Sequence, residues 1–142
     1  MAKVARAARV ASRQRTETVS ADKTITQAEA GELYLIDASA AGNFTITLPT
    51  CQEGAYFTFL LVADSNAAAE VLIDSGTGVS IDGNTIVQAA GGADTKAAHS
   101  NQKIGFGDAA QTGDVLELVS DGSNWFILRA EASVSFVTAF TA

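Results

Sequence analysis

Residues 113–129 read GDVLELVSDGSNWFILR, the pattern of a complete β-hairpin. Val115, Leu116, Leu118 and Val119 form one run of strand formers, and Trp125 to Leu128 form a second. Between them Asp121-Gly122-Ser123-Asn124 is a turn cluster. Gly122 can take a positive φ at no steric cost, and the side chains of Asp121 and Asn124 can hydrogen-bond the turn backbone. Trp125 is the single tryptophan, and at a strand start it is placed to anchor a core. The hairpin predicts the closing piece of an all-β domain.

Working upstream, Lys103-Ile104-Gly105-Phe106 reads as the strand before the hairpin, and Ala89 to Ser100 as a long surface loop with Gly91-Gly92. Val71-Leu72-Ile73, Val79-Ser80-Ile81 and Thr85-Ile86-Val87 are short strands separated by Gly76, Gly78 and Asp82-Gly83-Asn84. Ala55 to Ala63, AYFTFLLVA, is too apolar for a half-exposed strand and predicts a central one covered on both sides. Asn43 to Leu48 alternates, placing Phe44, Ile46 and Leu48 on one face, and Pro49 closes it. Leu33 to Ile36 is a buried-strand run, and Thr24-Ile25-Thr26 is a possible first strand. Turn signals recur about every 8–12 residues, the spacing of short antiparallel strands in a sandwich or barrel.

A chain of 142 residues suffices for one domain with its own core. Cys51 is the single cysteine, which excludes an internal disulfide and suggests assembly in a reducing compartment. No apolar run approaches the ~18 residues of a membrane-spanning helix. The net charge of −7 conceals an asymmetry: Lys3, Arg6, Arg9, Arg13 and Arg15 fall within residues 1–15 with no acid. Residues 16–142 then hold four bases against 16 acids, a net −12. A basic arm on an acidic body is an interaction design, and such a body repels nucleic acid and anionic membrane. Wound as a helix, the arm would set Arg6, Arg9 and Arg13 on one face, with Val4, Ala7 and Ala11 opposite. Its Arg-rich, acid-free composition also fits an organellar transit peptide, although nothing else in the chain points to an organelle.

Residues that carry chemistry are few. His99 is the single histidine and is expected as a solvated loop residue; Cys51 is expected in the core, and a Cys51–His99 pair would need tertiary coincidence. No His or Cys cluster suits zinc, and the aspartates lack calcium-loop spacing, so no metal or cofactor is expected. Leu72-Ile73-Asp74-Ser75-Gly76-Thr77 matches the Asp-Ser-Gly-Thr loop of aspartic proteases, in which two such loops share a proton across a dyad. The same residues are also an ordinary turn, and the helix that follows the second half of the protease motif is missing.

Three stretches, TITLP at 45–49, GAYFTFLLV at 54–62 and GDVLELVSDGSNWFIL at 113–128, resemble tailed-bacteriophage virion proteins. In that pattern a strand ending in Leu-Pro precedes a Gly-led aromatic strand. A V-x-I segment with a Gly-x-x-I-x-G turn follows, here Val71 to Gly83, and a hairpin with S-D-G-x-N-W closes it. The likeness spans roughly residues 24–130. It implies a β-rich, commonly trimeric module of the kind found in capsid decoration (cement) proteins, head fibres and tail fibres, with no catalytic residue.

The resulting expectation is an antiparallel β-sandwich or jelly-roll-like domain over 24–130, an extended basic arm over 1–23 and a C-terminal strand over 131–142. The expected function is a non-enzymatic decoration protein on the outer surface of the phage head, assembled in the bacterial cytoplasm. Its partner would be the major capsid protein, met through Lys3, Arg6, Arg9, Arg13 and Arg15, with neither nucleic acid nor membrane as partner. The β-forming tail would make homo-oligomer contacts, a trimer favoured, through Val134, Phe136, Val137 and Phe140. A tail- or head-fibre component with a receptor-binding role is the first alternative, and a dimeric aspartic-type protease around Asp74-Ser75-Gly76 the second. The lack of heptads or repeats that could form a shaft favours decoration over a fibre.

Overall fold

A computed structural model describes residues 14–39, 42–65 and 69–141. Among these residues the chain is nearly all β, with no α-helix. The strands in chain order are β1 (Thr16–Val19), β2 (Lys23–Thr24), β3 (Leu33–Asp37), β4 (Phe44–Thr47), β5 (Tyr56–Ala63) and β6 (Val71–Asp74). They continue as β7 (Ile81–Val87), β8 (Thr95–Asn101), β9 (Lys103–Phe106), β10 (Val115–Ser120) and β11 (Trp125–Ala132). A large sheet runs β1-β3-β5-β10-β11-β7-β8, and a small one runs β2-β4-β6-β9.

The hairpin forms as its residues require. β10 and β11 pair antiparallel from Ser120–Trp125 outward. Asp121 Oδ1 accepts the N–H groups of Ser123 and Asn124 at 2.8 and 2.9 Å, and Gly122 sits at φ 97°. The Asn124 side chain points away from the turn: its Oδ1 faces Ser80, just before β7. Leu118 pairs with Ile127 but Glu117 with Arg129, so Leu128 is the extra residue of a β-bulge.

The sheets are mixed, which corrects the antiparallel expectation. β1, β3 and β5 are parallel neighbours in the large sheet, as are β2, β4 and β6 in the small one. From Thr16 to Asp74 the chain therefore alternates between sheets, each strand lying beside the one two places earlier. Parallel strands need a long crossover, and here a strand of the opposite sheet supplies it in place of a helix. Turn spacing is the same for this coil as for a run of hairpins, so it cannot tell them apart. Thr16 to Lys23, assigned above to the arm, contribute β1 and the first residue of β2 to the two sheets.

Inward residues of both sheets make one core. Phe57, Phe59 and Leu61 of β5, Leu116 and Leu118 of β10, and Trp125 meet Phe44, Ile46, Ile73, Ile104 and Phe106 of the small sheet. The expected face of Phe44, Ile46 and Leu48 is buried. An aromatic series crosses the core: Phe59 lies 5.5 Å from Tyr34, Tyr34 6.1 Å from Phe57, and Phe57 5.7 Å from Trp125.

Further expectations change, and Asp82-Gly83-Asn84, read as a turn between two strands, lies inside the continuous β7. Residues 95–100, read as part of a loop, belong to β8, which pairs along its whole length with β7. β5 is central in its sheet, between β3 and β10, but it is not covered on both faces. Phe57, Phe59 and Leu61 are buried, while Tyr56 is 50% and Val62 39% exposed.

Candidate interaction surface

Alternation along β5, β10 and β11 turns a second apolar set away from the core. Val119 pairs with Tyr56 on one side and with Phe126 on the other, making one outward row. Glu117 lies between Thr58 and Arg129 in the next, and Val115 between Leu60 and Glu131 in the third. The bulge pushes Leu128 outward to 67% exposure. Tyr56, Val62, Phe126 and Leu128 are four of the five large apolar side chains most exposed among the described residues, and all belong to β5 and β11.

This face is concave. Leu33, Tyr56, Leu60, Val115 and Leu128 line a depression of about 820 Å³, with Arg15, Glu117 and Arg129 also on its walls. Gly31 helps to place Tyr56. Its N–H donates to the Tyr56 carbonyl at 2.8 Å, and a Cβ there would stand 3.0 Å from the tyrosine hydroxyl oxygen. Arg15 donates to the Ala28 carbonyl at 3.1 Å, so a base is held at the rim where β1 begins. Lys3, Arg6, Arg9 and Arg13 lie outside the described residues.

No protein-family model matches this chain, and no curated protein shows significant similarity to it. The functional reading therefore rests on the residues themselves and on the resemblance described above.

Elsewhere several ionisable groups are engaged with one another. Glu17, Glu29 and Glu32 bring carboxylate oxygens within 4.8 Å of each other, a spacing that could hold a cation. The Lys23 ammonium already serves there, 3.0 Å from Glu17 and 2.9 Å from Glu29, over the Tyr34 ring at 5.5 Å. Burial alone would raise the Glu29 pKa, but bonds from Lys23 and Thr26 hold it at about 2. Glu29, in return, raises that of Lys23. The buried Tyr34 hydroxyl is pushed up by desolvation and by Glu29 and Glu32.

Asp74 ends β6. Its Oδ1 accepts from Gln102 Nε2 at 2.8 Å and from the Gly76 N–H at 2.9 Å, and its Oδ2 lies 3.1 Å from Lys103 Nζ. Burial works to raise its pKa, and these donors outweigh burial and lower it. The carboxylate ties β6 to β9 and closes the Gly76 turn. His99 is in β8 opposite Gly83, buried rather than solvated, and desolvation lowers its pKa. Cys51 is half-buried against the core.

The tail residues lie on their own chain. The Val137 N–H donates to the Gly105 carbonyl at 2.9 Å in an isolated antiparallel bridge, and the Phe136 ring is 5.7 Å from Phe106. Val134 also packs on the core, whereas Phe140 is 41% exposed. Val134, Phe136 and Val137, the residues expected to make oligomer contacts, thus lie against their own chain, at the edge of β9. Sequence reasoning missed the outer face itself. Its signal was present in two places, AYFTFLLVA and WFIL, where residues of both parities are apolar.

Proposed function

We propose that the protein is a non-enzymatic structural subunit that docks on an assembled protein shell through the outer face of its large sheet. Following the resemblance, that shell is the head of a tailed bacteriophage, and the protein is a decoration protein on its outer surface. The two sheets are read as the layers of a β-sandwich. The observation that carries this reading is the exposed apolar set Tyr56, Val62, Phe126 and Leu128 on a single face. Apolar patches of this kind mark protein–protein contact sites. With the basic N-terminal residues starting from its rim at Arg15, the face suits a partner that is apolar at the centre of the contact and acidic at its edge.

Binding the assembled shell in preference to free subunits stabilises the shell by mass action. Co-sedimentation with purified intact heads tests the reading. Leu128→Glu and Tyr56→Glu are both on the open face, so the variants should fold normally yet lose at least about tenfold in affinity, the effect of ~1.4 kcal/mol. Full binding by both variants would overturn it. A head- or tail-fibre module is the second reading, favoured by the coil of parallel strands from β1 to β6, and retention on tails rather than heads would select it.

A further inference from the structure

β8 is the last strand of the large sheet, and a single buried side chain secures it. Of its seven residues only His99 is buried, at 8% exposure. Central strands have several apolar anchors, as β5 has in Phe57, Phe59 and Leu61. β8 has instead its backbone ladder with β7 and two side-chain bonds to the same strand. The Ser100 hydroxyl donates to Asp82 at 2.6 Å, and the Thr85 hydroxyl donates to the Ala97 carbonyl at 3.4 Å.

That anchor is the chain's single histidine, and its Nε2 is buried with no hydrogen-bond partner among the described residues. A neutral imidazole tolerates this, because only one of its two nitrogens carries a proton. Protonation puts an N–H on both, so Nε2 becomes part of a cation, sealed from water and with no acceptor. The charged side chains on the strands around the ring are Asp82 of β7, Lys96 of β8 and Lys103 of β9. Gly83, opposite His99 in the register, brings no side chain. The Lys103 ammonium is paired with Asp74, and Asp82 already accepts from the Ser80 and Ser100 hydroxyls. The Lys103 backbone and the Asp82 charge favour the protonated ring, but desolvation outweighs both. Once β8 opens, the ring regains its ordinary value of 6.5, and below it the open strand takes up the proton more readily than the closed one. Asp82, whose pKa is lowered from 3.8, keeps its charge throughout the upper part of that window.

We infer that β8 is an acid-released edge strand with His99 as its latch: the neutral ring holds β8 on β7, and protonation frees it. With β8 released, β7 becomes the sheet edge, and its seven residues present unpaired backbone N–H and C=O groups for strand addition. The test is amide hydrogen exchange on the full chain, read by NMR at about pH 7 and about pH 5 and corrected for intrinsic rates. Protection of the β8 amides should fall several-fold at the lower pH, while that of β10 holds. His99→Gln keeps a polar side chain that does not titrate, so its β8 protection should be equal at the two values. Equal protection of wild-type β8 at both, or the same fall in His99→Gln, would overturn the inference. The wild-type His99 ring, titrated in the same samples, gives a readout that needs no variant. Its midpoint should lie below 6.5, and a midpoint at or above that value would likewise count against the latch. Neither readout depends on what the outer face binds.

Discussion

Trp125 is wholly buried against Phe57, and its indole N–H has no hydrogen-bond partner among the described residues. The ring stabilises by filling volume while its N–H is desolvated without compensation. Trp125→Ala should therefore cost about 3–5 kcal/mol in denaturant unfolding followed by circular dichroism. Trp125→Phe keeps most of the ring and removes the orphan donor, so its cost should be less than half as large. Lys23 poses the opposite problem, a charge that two carboxylates, Glu17 and Glu29, require. The depressed pKa of Glu29, about 2 against the usual 4.5, means that its bonds stabilise the fold fully above the unfolded value. That contribution fades as pH falls from 4.5 towards 2. Lys23→Met should lose about 1 kcal/mol at pH 7, since both partners keep some contact with water, and the difference from wild type should shrink below pH 4 in thermal melts. A difference that grows on acidification would contradict the pairing. Residues of this kind were only half legible. Trp125 stood out through its size and its place in the hairpin, whereas Lys23, Glu17, Glu29 and Glu32 meet only because β1, β2 and β3 are wound together.

At the scale of elements, strands with clear alternation or bounded apolar runs were readable, and their partners were not. Phe44, Ile46 and Leu48 declare a one-sided strand, but nothing in that pattern says that its neighbours are the parallel strands β2 and β6. β8 was invisible for a different reason. Its residues TKAAHSN are small or polar and all but His99 are exposed, so backbone pairing with β7 holds it without any apolar face. β6 and β9 approach more closely than side chains usually allow. A Cβ on Gly105 would lie 2.0 Å from the Val71 carbonyl oxygen, so the antiparallel pair tolerates no side chain there. Gly105→Ala should destabilise by roughly 3 kcal/mol or more, beyond ordinary overpacking, because the obstacle is backbone and cannot rotate away. Gly92→Ala, where the nearest atom is the Ala89 side chain at 3.4 Å, is the control and should change unfolding little.

For the whole molecule, the surplus of apolar residues in β5 and β11 is the fact to be explained. Read as sequence, AYFTFLLVA predicts cover on both faces; in the folded chain the core covers only one. The mismatch locates a surface that a partner would complete, and it lies beside the point where the basic N-terminal residues join the domain. The shell-binding account stands on that face, and cysteine labelling tests it most directly. In a Cys51→Ser background, Leu128→Cys on the outer face and Asp121→Cys in the exposed turn are labelled with a thiol reagent, free and bound to intact heads. The account predicts that binding to heads protects position 128 strongly while position 121 keeps most of its reactivity. Equal labelling of position 128 in free and head-bound protein would contradict it.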